Sequence, residues 1–65
     1  MKEITLYFTE INNVTTKVNV MLPNNLSFIL DEIRYKLREY PIYVYCRFSF
    51  MGSSYQVNNK TFQEI

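Results

Sequence analysis

The sequence predicts a small α+β domain with elements in the order β-β-α-β-β, closed by one short helical turn, and with its single helix packed on one sheet face. Two changes of hydrophobic period carry that expectation. Apolar residues alternate with a period of two over Ile4–Phe8 and again from Ile42, while between Leu26 and Tyr40 they recur every three or four residues. The third observation is punctuation: Asn12-Asn13, Pro23-Asn24-Asn25, Pro41 and Gly52 fall between the periodic runs.

The first third reads as a hairpin. Ile4, Leu6 and Phe8 alternate with Thr5, Tyr7 and Thr9, and Val18, Val20 and Leu22 repeat the pattern after Glu10 to Thr15. Asn12-Asn13 supplies residues that tolerate positive φ for the turn. The helix follows. Leu26, Leu30, Ile33, Leu37 and Tyr40 form one stripe, with Asp31, Glu32, Arg34, Lys36, Arg38 and Glu39 around it. Glu32 and Lys36 form a favourable i,i+4 pair, and Asn25 or Ser27 caps the start. Pro41 ends the helix and pushes Tyr40 towards an extended conformation.

Beyond the helix, strict alternation turns Val44, Cys46, Phe48 and Phe50 inward and Tyr43, Tyr45, Arg47 and Ser49 outward. Gly52, the only glycine, suits the sharp turn that follows. A short return strand spans Ser54 to Val57. Thr61-Phe62-Gln63-Glu64 has the threonine-to-glutamate spacing of a capping box, which predicts a closing helical turn.

Composition limits what such a chain can do. Its 65 residues make a single domain over positions 1–65. A chain of that size buries only about 60% of its unfolded surface, so stability is marginal. Cys46 is the only cysteine and there is no histidine, which removes an internal disulfide and the donor set of a zinc site. No cofactor is expected. The compensating resource is aromatic area, at 17% of residues. Seven basic against six acidic side chains leave a formal net charge of +1, too balanced to draw nucleic acid or membrane by bulk electrostatics. No apolar run reaches the length of a membrane span, and no signal-peptide core follows Met1-Lys2-Glu3. The expected setting is intracellular and cytoplasmic.

The chain has no alanine, and Asn, Lys, Ile, Tyr and Phe supply 28 of its residues. These abundant types use AT-rich codons. An AT-rich genome, and with it a viral, phage or mobile-element origin, is one expectation; a fragment of a larger protein is the other.

Catalytic chemistry finds no purchase in the sequence. Cys46 has no histidine to activate it and falls on the inward side of its strand, as a structural cysteine does. Ser53-Ser54 beside one glycine cannot build a phosphate cradle. Asp31 and Glu32 are consecutive on a helix, so their carboxylates diverge, and no other pair has acid–base spacing. The expectation is a protein that is not an enzyme.

Several of these residues also carry a resemblance. The order hairpin, helix, strand, glycine turn, short strand and capped turn resembles the β-grasp fold of ubiquitin. Arg47-Phe48-Ser49-Phe50-Met51-Gly52 is similar to the third strand of that family and the turn glycine it leads to. Tyr55 falls at its next core leucine, and Thr61-Phe62-Gln63-Glu64 is similar to its capped one-turn helix. Leu30, Ile33 and Leu37 match the inward positions of its helix, and Pro23 the proline that closes its hairpin. The resemblance implies a ubiquitin-like sheet without the last strand, since nothing after the capped turn corresponds to it. No tail diglycine is present, so conjugation to lysines is not implied. Ser49 stands where the family's receptor-binding isoleucine would be, which argues against recognition by ubiquitin receptors.

A missing last strand would leave a vacancy between the first and third strands. Direct pairing of those strands is the favoured outcome, ahead of a strand added by a partner or a self-swapped dimer. Tyr7, Tyr43, Tyr45, Arg47 and Ser49 are the candidate partner-binding residues, placed together on the sheet face away from the helix. Ordinary β-propensity of aromatic residues is the competing explanation for that stripe. The function expected is non-catalytic protein–protein interaction, of the kind a small viral or phage factor exerts on a host or viral protein. The alternatives are a self-associating subunit, including a homodimer, and a single-strand binder that stacks bases on the tyrosines. The scatter of Lys2, Lys17, Lys36 and Lys60 disfavours nucleic acid.

Overall fold

A computed structural model describes residues 1–65. The elements are β1 (Lys2–Glu10), β2 (Thr15–Leu22), α1 (Leu26–Glu39), β3 (Tyr43–Phe50), β4 (Ser53–Val57) and β5 (Phe62–Glu64). All five strands join one antiparallel sheet in the order β2-β1-β3-β4-β5, and the helix lies on one face of it.

Alternation on β1 decides which face is covered. Ile4, Leu6 and Phe8 are buried with Ile29, Ile33 and Leu37 of α1, Cys46 and Phe48 of β3, and Val57 of β4. Burial of such side chains stabilises by roughly 1.5–3 kcal/mol each before entropy is counted, so these nine supply most of the driving force. Asn13 takes a positive φ of 69° in the β1–β2 turn, as its residue type allows.

Asn25 begins the helix. Its side-chain oxygen accepts a hydrogen bond from the Ser27 backbone N–H at 2.9 Å. Glu32 and Lys36 form the expected ion pair at 3.3 Å. The buried stripe is rotated from the sequence expectation: Ile29 replaces Leu30 at its centre, Leu26 and Leu30 pack at the margin, and Tyr40 is the exposed C-cap. Helical spacing alone leaves about one position of freedom, and contact with the sheet chose Ile29.

Two further expectations need correction. Thr61–Glu64 is not a helical turn; Phe62–Glu64 is the edge strand β5, paired with Tyr55–Val57. Asn58, not Thr61, controls the local turn, because its side-chain oxygen accepts from the N–H groups of Lys60 and Thr61 at 2.8 and 2.7 Å. The aromatic rings of Phe48, Tyr55 and Phe62 then stack in succession across three strands, at 5.4 and 5.1 Å between centroids. A helical turn would forfeit that ladder.

The second correction concerns the start of β3. Thr9 pairs with Tyr45 but Glu10 pairs with Tyr43, so Val44 is an extra residue in a β-bulge. The bulge reverses the facing of Tyr43, which stacks on Phe8 at 4.7 Å on the helix side, and leaves Val44 exposed. From Tyr45 onward the expected alternation holds, apart from a half-buried Phe50 at the strand end.

β1 and β3 pair directly, closing the sheet in the favoured manner, but only over part of their length. The register runs from Glu10↔Tyr43 to Tyr7↔Arg47 and stops there. No helix is long and apolar enough to cross a membrane.

Candidate functional site: the open sheet face

The sheet face away from α1 is covered by no element. Strand registers place Lys17, Tyr7, Arg47, Gln56 and Gln63 in one row across all five strands. Thr15, Thr9 and Tyr45 form the row on one side of it. Asn19 and Thr5 lie on the other side, and Ser49 and Ser54 continue beyond a gap.

Arg47 is the organising side chain. Its Nε donates to Gln56 Oε1 at 2.9 Å, and its guanidinium carbon lies 5.4 Å from the Tyr45 ring centroid. A guanidinium so held has its remaining N–H donors turned to solvent, preorganised for an acceptor from outside. Tyr7 stands directly across from Arg47 and is 43% exposed, with Lys17 on its other flank. Two cations therefore bracket one tyrosine. Ser49 and Ser54 approach each other at 3.3 Å between hydroxyl oxygens, and Thr5 Oγ1 donates to Asn19 Oδ1 at 2.9 Å.

Of the five expected binding residues, the structure brings together Tyr7, Tyr45, Arg47 and Ser49 on this face. Tyr43 is not among them, since the bulge places it against Phe8. Lys17, Gln56 and Ser54 belong to the face and were not singled out from sequence. Alternation on β2 and β4 was the signal that would have found them, because each lies at outward parity on its strand.

Two shallow hollows open beside this row. The first, of about 300 Å³, lies between the diverging ends of β1 and β3, against Glu3, Thr5, Ser49 and Met51. The second, of about 290 Å³, is bounded by Tyr7, Arg47, Ser49, Ser54 and Ile65. They meet at Tyr7 and Ser49.

Cys46 faces the other way, into the core. Burial pushes its thiol from 9.0 up to about 12, only partly countered by a hydrogen bond with the Tyr7 backbone. A thiol held neutral is a poor nucleophile and a poor metal ligand. No group of three or more His, Cys, Asp or Glu side chains converges as a metal site would require. The arrangement on the open face offers stacking, hydrogen bonding and positive charge, which is chemistry for recognition.

The chain matches no protein-family model, no curated protein and no solved structure.

Proposed function

We propose that the protein is a non-catalytic interaction module that binds another protein through its open sheet face. The observation that carries this reading is the Tyr7–Arg47–Tyr45 arrangement: an arginine held by Gln56 and the Tyr45 ring, with Tyr7 paired across from it, on a face with no covering element. Tyrosine and arginine dominate binding hot spots because both present large area and directional donors. Exposed Ile11, Ile42 and Val44 extend the surface with apolar area beyond Tyr45, and the Ile11 N–H binds the Ile42 carbonyl at 2.8 Å to hold those segments together. A small viral or phage factor acting on a host or viral protein is the biological setting this reading favours.

A ubiquitin-like origin for the fold is supported by the succession of hairpin, helix, strand and glycine turn. The directly paired β1 and β3 and the added edge strand β5 are departures from that pattern. Ser49 on the open face keeps recognition distinct from that of ubiquitin.

The test compares capture of proteins from the cell that makes the chain by wild type and by a Tyr7→Ala/Tyr45→Ala double variant. Stoichiometric capture of one protein by wild type, lost in a variant with an unchanged circular dichroism spectrum, is the expected result. Equal capture by both forms would refute the reading. Binding of labelled oligonucleotides at low salt, abolished by the same variant, would replace it with the single-strand alternative.

A further inference from the structure

The pairing of β1 with β3 ends at Tyr7↔Arg47, although both strands continue. Past that point β1 runs on through Thr5 and Glu3, and β3 through Ser49 and Phe50, without a register between them. In antiparallel strands the backbone groups of successive residues point alternately to the two neighbours. The Glu10 N–H bonds back across the β1–β2 turn to Val14, while the Ile11 N–H bonds to Ile42 at the start of β3. Counting back from Ile11, the backbone groups of Thr9, Tyr7, Thr5 and Glu3 all face β3. By the same parity those of Phe50 face β4, its partner being Ser53 across the two-residue turn, and those of Ser49 face β1. The two strands thus turn main-chain donors and acceptors at each other across a wedge, and the hollow of about 300 Å³ lies in it.

We propose that this wedge receives the C-terminal end of an extended peptide from a protein partner, its main chain lying between Thr5 and Ser49 and its carboxylate at Arg47. The proposal rests on the reading of the open face as a protein-binding surface and names the chemistry bound there.

Three observations select this occupant. Main-chain groups on both walls ask for alternating main-chain groups in between, which an extended peptide supplies. The wedge closes at Tyr7–Arg47, so an inserted chain must turn out of the sheet or stop; a chain terminus stops without a turn. The closed end is cationic. Arg47 and Lys17 flank Tyr7 there and the Ser49 and Ser54 hydroxyls line the adjoining hollow, whereas Lys2 and Glu3 offset each other towards the open mouth. An ammonium terminus would meet like charge at that point, whereas a carboxylate meets a guanidinium and two hydroxyls.

The test is a titration of isotope-labelled protein with a short acetylated peptide of alternating threonine and valine, followed by amide chemical shifts. The expected result is saturable shifts centred on Thr5, Ser49 and Arg47, with the free-acid peptide binding about tenfold more tightly than its C-terminal amide. Arg47→Gln is expected to erase that preference. N-methylation of alternate peptide residues is expected to abolish binding in one register and spare it in the other. These changes in the probe leave the protein's fold untouched. Equal affinity of acid and amide, no saturable shift at millimolar peptide, or shifts confined to the outer edges of β2 and β5 would overturn the proposal. So would a dimer, formed without peptide, whose Thr5 and Ser49 amides are protected by a second copy. Failure of the peptide while partner capture still depends on Tyr7 and Tyr45 would remove the wedge assignment and leave the face reading standing.

Discussion

Phe8 and Tyr43 stack with ring centroids 4.7 Å apart on the helix side of the sheet, although strict alternation along β3 would put Tyr43 on the opposite face. The inserted Val44 makes the contact possible. A two-residue difference in position along one strand, Tyr43 against Tyr45, therefore separates a half-buried ring packed against the core from a half-buried ring on the open face.

Replacing these two tyrosines should give different outcomes. Tyr43→Ala loses the stack and its buried area and is expected to cost about 2 kcal/mol in urea unfolding. Tyr45→Ala loses a surface cation–π contact and is expected to cost less than about 1 kcal/mol. Comparable costs for the two would contradict the assigned facings.

How far the sequence discloses this arrangement depends on the type of signal. Ile4, Leu6 and Phe8, the Asn25 cap, the Glu32–Lys36 pair and the Gly52 turn are all local, and each is found where periodicity or residue type put it. The bulge at Val44 is not local. It depends on how Glu10 of a distant strand registers with Tyr43, and nothing in the neighbouring residues announces it. Thr61–Glu64 reads as a helical turn in the sequence because a capping-box spacing is short and the strand alternative needs Tyr55 as a stacking partner. At the site, Tyr7, Tyr45, Arg47 and Ser49 were legible from parity. The wedge was not, since it arises where two strands diverge.

The terminal strand hangs on Asn58. Asn58→Ala removes acceptors for two backbone N–H groups, and hydrogen exchange should become faster through Phe62–Glu64 with a global cost of about 1 kcal/mol. Unchanged exchange in β5 would show that the aromatic ladder alone holds it.

Met51 and Gly52 turn β3 into β4, with φ of 52° and 84°. Positive φ at both centre positions of a two-residue hairpin loop favours Asn-Gly. Met51→Asn is therefore expected to stabilise by about 0.5–1 kcal/mol, and Gly52→Ala to destabilise by a similar amount, about 1 kcal/mol. The Gly52 effect is conformational, because an added Cβ would meet nothing within 4 Å. Thermal melts of the two variants check both signs.

Cys46 gives a pH dependence with a definite sign. In the unfolded chain its thiol ionises at its ordinary value of 9.0, whereas burial holds it neutral in the fold up to about 12. The contribution is fully present below pH 9 and is lost as pH rises from 9 towards 12, where only the unfolded chain gives up the proton. Stability of wild type should fall more steeply across that window than that of Cys46→Ala, measured by urea unfolding at a series of pH values. Parallel curves would mean that the thiol is not excluded from water.

The central claim is that β1 and β3 close the sheet directly at Tyr7–Arg47 and diverge beyond it, which creates both the open face and the wedge. Residue-resolved amide hydrogen exchange on the free protein tests it most directly. The account predicts slow exchange at Tyr7, Thr9 and Arg47, and fast exchange at Thr5 and Ser49. Slow exchange at Thr5 and Ser49 in the monomer would mean that the strands pair to their ends, and fast exchange at Tyr7 and Arg47 would mean that they do not pair; either contradicts it.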